Sequence, residues 1–320
     1  MKILVTGGAG FIGSHIVEHF QAIAEIRVLD NLRSGFKHNL QGLRHEFIEA
    51  SILDRDQVRR AMKGIDFVFH LAAMVSVPES MQKPIECNEI NTIGTLVVLE
   101  EAARAKVKKL AFTSSAAIYG NNPANPKEET ILPCPQSPYA ITKLDGEFYC
   151  ELFARENHLP TVCLRYFNVF GPRQDPRSQY AAAVPIFFDQ AMKNEPTTIY
   201  GDGEQTRDFI FVKDVAAANE FFTTRSSATG VFNVACGQST TINNLAKTIR
   251  LMTGSSSEIR YALKRVGDVK HSMASIEKMR LAGFLPAHDL DKGLKIIAQT
   301  LSARPKQLNS GENSAQNDKF

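Results

Sequence analysis

The first twenty residues restrict the possible folds of this 320-residue chain more than any other segment. Lys2–Thr6 has the composition of a short buried strand, and the turn after it contains Gly7, Gly10 and Gly13. Apolar residues then recur with helical spacing up to Phe20. A strand, a glycine-rich turn and a helix favour a dinucleotide-binding unit, because glycines let the backbone approach a pyrophosphate and the helix N-terminus offers it free N–H groups. A plain tight turn is the alternative for the glycines alone.

A carboxylate stands at the end of the second predicted strand, 26–29. Asp30 lies 17 residues after Gly13, close to where an acidic side chain accepts the ribose hydroxyls of NAD in such units. The same negative charge repels the 2′-phosphate of NADP. The glycine turn and this carboxylate together predict that the chain binds NAD.

Strands and helices alternate along the first half of the chain. The predicted strands after residue 30 are 45–48, 66–70, 110–113 and 161–167, and the predicted helices are 54–62, 88–105 and 138–156. This order predicts an α/β fold with a Rossmann-type doubly wound parallel sheet. Beyond residue 167 the alternation weakens, which predicts a smaller C-terminal α/β lobe for the substrate. We therefore expect an NAD-binding domain at 1–167, to which later segments can return, a lobe at 168–301 and a disordered tail at 302–320.

Composition argues against several classes of protein. The formal net charge is +3 at pH 7, and the densest basic segment, 106–109, lies where a helix end is expected, so we predict no nucleic-acid partner. No apolar run is long enough for a signal peptide or a membrane span, which predicts a cytoplasmic protein without a membrane partner. The 5 cysteines lack paired metal-ligand spacing, so we expect reduced thiols and no metal site.

A second constellation begins at Ser137 and Pro138, which suit the N-cap and the first position of a helix. Tyr139 and Lys143 then share one helix face, four residues apart. A cation beside a phenol lowers the phenol pKa from about 10 toward neutrality, which makes the tyrosine a usable base. A solvated surface pair is the alternative for these two residues taken alone.

Two further features lie beyond the carboxyl ends of predicted strands, where parallel sheets bind ligands. Ser114 and Ser115 follow one strand, and a hydroxyl there can reach both a substrate oxygen and Tyr139. Hydrogen bonding within the loop is the alternative for the serines. His70 ends another strand, and packing at the strand end is the better interpretation for it.

Arginines are spread over the C-terminal half, at Arg173, Arg207 and Arg265. On a lobe that faces a cofactor cleft, Arg207 and Arg265 suit a diphosphate, because a guanidinium binds phosphate oxygens with two parallel hydrogen bonds. Ordinary surface charges are the alternative for both.

In combination these motifs resemble the extended short-chain dehydrogenase/reductase family, and within it the NAD-dependent UDP-hexose 4-epimerases. The resemblance covers about residues 1–300. It is carried by Gly7, Gly10 and Gly13 with Asp30, by 70–73, by a serine before Tyr119 and Gly120, by Tyr139 and Lys143, by 165–168, and by 201–203 with Arg207.

The resemblance implies a role for each matching residue. The catalytic set would be Ser115, Tyr139 and Lys143. The cofactor NAD would be bound by Gly7, Gly10, Phe11, Ile12, Gly13, Asp30, Asn31, Ser51, Ile52, Leu71, Ala72, Ala73, Lys83, Tyr139, Lys143 and Tyr166. A UDP-sugar substrate would contact Ser76, Ser115, Asn168, Arg173, Tyr200, Arg207, Arg265, Asp268 and Ser272.

One cofactor position departs from the family pattern. Many members have Gly-Asp where this chain has Ala50-Ser51, and that aspartate contacts adenine. Serine still donates or accepts a hydrogen bond there. We therefore expect a weaker hold on adenine rather than lost binding.

The residues after Ser115 bear on the reaction type. Relatives that dehydrate or decarboxylate nucleotide sugars usually carry Asp or Glu there, because those reactions need an additional acid or base. Ala116 and Ala117 cannot move a proton, which favours a 4-epimerase working through a transient 4-keto intermediate. The alternatives are a dehydratase, a decarboxylase, an epimerase acting at another carbon or on another nucleotide sugar, and a non-catalytic NAD-sensing protein.

The resemblance also bears on substrate width and on assembly. Position 272 flanks the sugar C2 substituent and tends to be tyrosine in enzymes restricted to UDP-glucose and UDP-galactose. Ser272 leaves space for the acetamido group of UDP-N-acetylglucosamine and UDP-N-acetylgalactosamine, unless another side chain fills it. Family members form a homodimer through helices like those predicted from 88 and 137, and Leu96, Leu99 and Phe148 are candidates for that seam or for the core.

Overall fold

The structure, a computed structural model, describes residues 1–176, 182–264 and 269–303. The strands are β1 (Lys2–Thr6), β2 (Glu25–Asp30), β3 (Glu46–Glu49), β4 (Phe67–His70), β5 (Lys109–Ser115), β6 (Thr161–Tyr166), β7 (Asn168–Phe170), β8 (Thr197–Tyr200), β9 (Thr206–Arg207), β10 (Phe209–Phe211), β11 (Gly230–Val234), β12 (Thr240–Thr241), β13 (Ile259–Ala262) and β14 (His271–Ser272). The α-helices are α1 (Phe11–Phe20), α2 (Arg55–Ala61), α3 (Val77–Gln82), α4 (Pro84–Asn88), α5 (Gly94–Arg104), α6 (Pro138–Glu156), α7 (Ala183–Met192), α8 (Val212–Glu220), α9 (Ile242–Thr253), α10 (Glu277–Leu281) and α11 (Leu290–Ser302).

Seven parallel strands form the central sheet, in the order β11-β6-β5-β4-β1-β2-β3. The chain order reverses between β1 and β4, and sheets of this type bind ligands at that point, beyond the carboxyl ends of the strands. The predicted Rossmann-type doubly wound sheet is confirmed. Strand β11 comes from the C-terminal half and places Val234 opposite Tyr166 of β6, so the chain does return to this sheet after residue 167.

Helices cover both faces of the sheet, which explains why its strands are apolar on both sides. Phe20 of α1 and Val215 of α8 belong to the core on one face. Val98 of α5 and Cys150 of α6 belong to the core on the other face. The predicted helix at 88–105 is observed as α4 and α5 joined by a π-helical turn, Glu89–Ile93, and it begins earlier because Pro84 suits a first helical turn.

The C-terminal half adds a smaller α/β lobe with its own core. Phe188 of α7, Leu245 of α9 and Leu294 of α11 are buried there around Phe170 and Phe211. Ser302 still belongs to α11, so the predicted tail begins too early, and residues 304–320 of that tail lie outside the described residues. Within the described ranges no helix combines the length and the apolar character that crossing a membrane requires.

Candidate active site

The carboxyl ends of the central strands open into a cleft with a cavity of about 460 Å³. It is lined by every residue predicted to bind NAD except Lys83, namely Gly7, Gly10, Phe11, Ile12, Gly13, Asp30, Asn31, Ser51, Ile52, Leu71, Ala72, Ala73, Tyr139, Lys143 and Tyr166. A more open cavity of about 560 Å³ lies at the amino ends of β1 and β2, away from all of these residues. The spatial convergence of the predicted set makes the first cleft the candidate site.

The glycine turn leaves no room for side chains where it faces the cleft. Gly7 has φ of 71°, a left-handed conformation that favours glycine, and a Cβ on it would lie 2.7 Å from the backbone N of Ala72. A Cβ on Gly13 would lie 2.2 Å from the carbonyl oxygen of Gly7. Gly10 precedes α1 without a capping side chain, so the N-terminus of α1 keeps N–H groups for an anion.

Asp30 stands on the cleft wall beside this turn and is almost fully buried. Its carboxylate accepts the N–H of Ala9 at 2.9 Å and the N–H of Leu32 at 2.8 Å. Burial raises the pKa of Asp30, and these two N–H groups oppose that shift. The carboxylate is thus held rigidly as a hydrogen-bond acceptor at the edge of the cavity.

Helix α6 carries the predicted catalytic pair into the cleft. The Ser137 hydroxyl caps the helix by accepting the N–H of Ala140 at 3.2 Å, as the sequence predicted. Tyr139 and Lys143 both line the cavity, and Lys143 Nζ lies 5.9 Å from the centre of the Tyr139 ring. The Lys143 ammonium donates to the carbonyl oxygen of Thr113 at 2.8 Å, which anchors it on β5.

The prediction that the pKa of the Tyr139 phenol lies below its ordinary value is wrong for the protein chain alone. Burial raises the pKa of Tyr139, and a hydrogen bond with Ser115 offsets only part of that shift. Burial also lowers the pKa of Lys143 to about 8. The ammonium is directed at Thr113 rather than at the phenol, so desolvation outweighs its attraction for a phenolate.

Of the residues at the ends of β4 and β5, one lines the site and another packs behind it. Ser115 lines the cavity, hydrogen-bonds Tyr139 and also accepts the N–H of Ala117 at 3.1 Å, so the predicted loop hydrogen bond exists beside the predicted contact. His70 is buried between the hydroxyls of Thr6, at 2.7 Å, and Thr95, at 3.0 Å. This confirms His70 as a packing residue.

The donor set of the cleft fits a dinucleotide. A turn without room for a Cβ at Gly7 or Gly13, an uncapped helix N-terminus and a buried carboxylate belong to the same cleft, as a pyrophosphate and a ribose require. Residues 3–235 match the family described as NAD dependent epimerase/dehydratase. The chain belongs to this family. It is an NAD-dependent enzyme, and Gly7, Gly13 and Asp30 are the residues that would hold the cofactor.

Relatives and solved structures resemble this member of the epimerase/dehydratase family over nearly its whole length. UDP-glucose 4-epimerase from Mycolicibacterium smegmatis is 36% identical over 309 residues, which cover 92% of this chain and 96% of the relative. UDP-N-acetylglucosamine 4-epimerase from Methanobrevibacter ruminantium, solved in complex with UDP-N-acetylmuramic acid, aligns with a TM-score of 0.91 at 40% identity, covering 95% of this chain and 99% of that one. UDP-glucose 4-epimerase from Thermus thermophilus, solved with NAD, aligns with a TM-score of 0.88 at 36% identity, covering 95% and 100%. Because these relatives are 4-epimerases, and epimerases are isomerases, the enzyme is an isomerase.

Ser76 and Lys83 are among the predicted ligand residues that do not line the cleft of the enzyme. Ser76 is the N-cap of α3, and its hydroxyl accepts the N–H of Glu79 at 3.1 Å. Lys83 Nζ lies 3.8 Å from Glu79 and 3.6 Å from Glu86. The contacts of Ser76 with substrate and of Lys83 with NAD stay predictions.

The predicted substrate residues are only partly brought together. Ser115 and Arg173 line the cleft, and the Arg173 guanidinium pairs with Glu18 of α1. The side-chain amide of Asn168 donates to the carbonyl oxygen of Asp208 at 2.9 Å, and Tyr200 ends β8. Arg265 and Asp268 lie outside the described residues.

Arg207 and Ser272 are neighbours in the smaller lobe, because β9 and β14 pair in parallel with Ser272 opposite Arg207. Asp208 follows Arg207, is fully buried, and accepts backbone N–H groups of 236–237 at 2.9 Å and of Ala274 at 3.2 Å. Burial raises the pKa of Asp208 to about 6. Asp208 therefore fixes residues 236–237 and Ala274 beside Arg207 and Ser272, the predicted substrate pair.

Several lining residues escaped the sequence analysis: Arg33, Phe36, Asn39, Val75, Phe167, Gln174 and Asp175. A signal existed for Arg33, which follows the predicted ribose carboxylate by three residues. No sequence signal pointed to Asn39, because it reaches the glycine turn through a tertiary contact. Its side-chain amide donates to the carbonyl oxygen of Ala9 at 2.9 Å.

A buried ion pair joins β6 to the catalytic helix behind the cleft. Arg165 donates to Glu147 of α6 through Nε at 2.8 Å and Nη2 at 2.7 Å, and both side chains are almost fully buried. Arg165 Nη1 also donates to the Tyr119 hydroxyl at 2.8 Å, and the Ser114 hydroxyl donates to Glu147. The segments around Tyr119 and Arg165 that carried the resemblance thus form an internal network that ties α6 to the sheet.

Proposed function

We propose that this enzyme is a 4-epimerase of UDP-hexoses, interconverting UDP-glucose with UDP-galactose and UDP-N-acetylglucosamine with UDP-N-acetylgalactosamine. The observation that carries the proposal is the convergence of Ser115, Tyr139 and Lys143 in the NAD cleft, with Ala116 and Ala117 directly after the serine. Oxidation and re-reduction at one carbon need one base, one orienting hydroxyl and the cofactor. Dehydration or decarboxylation needs a further acid or base, which two alanines cannot supply.

Tyr139 is the proposed base. Its phenolate, with the Lys143 ammonium as the nearby counter-charge, would take the proton of the sugar 4-hydroxyl, and the resulting phenol would return that proton when the alcohol re-forms. Ser115, which hydrogen-bonds Tyr139, would orient that hydroxyl. NAD, when bound, supplies the hydride acceptance and return that interconvert alcohol and ketone at C4. The 4-keto sugar would turn over between these two events while its UDP group stays anchored in the smaller lobe.

Lys143 is proposed to hold a positive charge below the reacting tyrosine. An amine with a pKa of about 8 remains mostly protonated at pH 7, so the ammonium is available to stabilise a phenolate. Its hydrogen bond to Thr113 fixes its position on β5. The fold thus contributes mainly by orienting the reacting groups, and this orientation removes a large part of the barrier to reaction between bound groups.

The direct test incubates the purified protein separately with UDP-glucose and with UDP-N-acetylglucosamine and resolves the C4 epimers by NMR. We expect each sugar nucleotide to equilibrate with its C4 epimer at unchanged mass. A product that has lost water or carbon dioxide would identify a dehydratase or a decarboxylase instead. Recovery of both substrates unchanged under saturating NAD would support the non-catalytic alternative.

Ser272→Tyr is expected to narrow the substrate range. A tyrosine beside the sugar C2 position would exclude the acetamido group, so kcat/KM for UDP-N-acetylglucosamine should fall at least about tenfold, while kcat/KM for UDP-glucose stays within about threefold. Ser272→Ala, which keeps the space, is the control and should leave both values near wild type. Equal kcat/KM values for the N-acetylated substrate in the tyrosine variant and the wild type would show that Ser272 does not face the sugar.

We also propose that the enzyme is a homodimer. Ile141, Phe148 and Leu152 form an exposed apolar stripe on α6, beside exposed Ile85 and Ile93 at the two ends of the α4–π-turn segment. Two copies of this pair of helices would bury the stripe in a four-helix interface. Leu99 does not contribute, because it is fully buried in the core of its own chain, and Leu96 packs against the same core.

Sedimentation velocity tests the dimer. Phe148→Glu is expected to convert a dimeric wild type at micromolar concentration into a monomer, because the charge would be buried in the seam. Leu251→Glu, at an exposed leucine on α9, is the matched control and should remain dimeric. A wild type that sediments as a monomer would refute the proposal.

A further inference from the structure

An ion cluster stands at the rim of the NAD cleft, formed by Arg33, Glu79, Lys83 and Glu86. Arg33 Nη2 donates to Glu79 at 2.8 Å, and Nη1 donates to Glu86. Lys83 Nζ lies 3.8 Å from Glu79 and 3.6 Å from Glu86. Two cations therefore share two carboxylates, and the formal charge of the cluster is zero.

Arg33 has a position that the rest of the cluster lacks. It lines the cleft together with Asp30, three residues earlier in the chain. Asp30 suits the ribose hydroxyls of NAD, whereas an arginine at this edge suits the 2′-phosphate of NADP, since a guanidinium binds phosphate through two parallel hydrogen bonds. The same wall thus carries a group for each of the two cofactors.

The backbone that carries each carboxylate belongs to the first turn of a helix. Ser76 caps α3 and binds the N–H of Glu79, which sets the first turn of that helix. Glu86 lies in the first turn of α4. Both hydrogen bonds from Arg33 are charge-assisted, and its guanidinium is about two-thirds buried, so releasing it to another anion requires breaking a two-carboxylate fork.

We propose that Glu79 and Glu86 are positioning residues for cofactor selectivity. They hold the Arg33 guanidinium in an ion pair and so withhold it from a 2′-phosphate, which leaves Asp30 as the group that recognises the adenosine ribose. NAD is then selected over NADP in two ways. Asp30 repels the 2′-phosphate of NADP, and the ion pair with Glu79 and Glu86 keeps Arg33 from binding that phosphate. This inference does not depend on which UDP-sugar the enzyme uses.

The test measures bound cofactor rather than activity. The full-length protein is dialysed to equilibrium against equal concentrations of NAD and NADP, and the dinucleotides that remain bound are released and quantified. Asp30→Asn removes the repulsion and keeps one side-chain oxygen, which can accept the N–H of either Ala9 or Leu32 but not both. Adding Glu79→Gln and Glu86→Gln to Asp30→Asn is expected to raise the bound NADP-to-NAD ratio at least about tenfold further, because Arg33 becomes free to form charge-assisted bonds.

Three variants separate this effect from a general change of charge. Adding Arg33→Met to the triple variant is expected to return the ratio to that of Asp30→Asn. Adding Lys2→Met instead removes the same charge at the amino end of β1, where Lys2 pairs with Glu25 away from the cleft, and the gain should persist. Glu277→Gln, which breaks an exposed pair with Arg280 on α10, should match wild type.

Either of two results would overturn the proposal. One is a triple variant with the same NADP-to-NAD ratio as Asp30→Asn. The other is a gain that survives Arg33→Met, which would assign it to the lost negative charge alone. Thermal unfolding of each variant with NAD present confirms that the protein is folded, and Glu79→Gln with Glu86→Gln on intact Asp30 gives a second, smaller rise that must also vanish with Arg33→Met.

Discussion

Replacing Tyr139 with phenylalanine is expected to lower kcat by about 10²–10⁴-fold, which is the usual contribution of a positioned general base. The Tyr139 phenolate is the group on α6 that can accept the sugar proton in the cleft, because the neighbouring Lys143 is an ammonium, which donates to the Thr113 carbonyl and has no lone pair. Phenylalanine keeps the ring and its packing. We therefore expect the NAD content and the affinity for UDP to stay within about twofold of wild type.

The measurement is initial-rate epimerisation with either UDP-sugar, combined with quantification of bound NAD. Tyr149→Phe is the matched control, because Tyr149 lies on the same helix but packs against the core below the sheet. It should retain near wild-type turnover. A Tyr139→Phe enzyme that keeps even a tenth of the wild-type kcat would remove Tyr139 from the role of base.

The sheet and one wall of the site could be predicted because their signals are local. The turn at Gly7 to Gly13, the carboxylate at Asp30 and the spacing of Tyr139 and Lys143 each depend on a few consecutive residues whose backbone geometry follows from chemistry. The alternation of strands and helices then fixes which ends of the strands meet. The three glycines Gly7, Gly10 and Gly13, together with Asp30, Tyr139 and Lys143, line the cleft in the structure.

The rest of the site depends on contacts between distant segments. The sign of the Tyr139 pKa shift followed from burial, which the i, i+4 spacing with Lys143 does not report. Arg33 meets Glu79 and Glu86 across separations of 46 and 53 residues. Those two carboxylates also pair with Lys83, and the contact of Lys83 with NAD that the resemblance implied stays a prediction.

Glu147→Gln is expected to lower the free energy of unfolding by about 3–5 kcal/mol, the usual cost of removing one partner of a buried ion pair. Arg165 would then remain buried without a counter-charge, since its other hydrogen bonds within the described residues go to the Tyr119 hydroxyl and to the carbonyl oxygen of Glu129. Urea unfolding with NAD at saturation measures the change. Glu101→Gln is the matched control: Glu101 is equally buried, but its partners Arg55 and Arg59 are more than two-fifths exposed, so water can solvate them and the loss should be less than half as large.

Removing both charges from the Arg165–Glu147 pair should cost less than removing one. Arg165→Met combined with Glu147→Leu leaves no buried cation, so the double variant is expected to be more stable than Glu147→Gln. Glu147 lies two helical turns after Tyr139 on α6, and the pair anchors that helix to β6. If the double variant folds but its kcat falls while NAD stays bound, the ion pair sets the position of the catalytic helix as well as its stability. A single variant within about 1 kcal/mol of wild type would show instead that Arg165 finds another partner or water when Glu147 is lost.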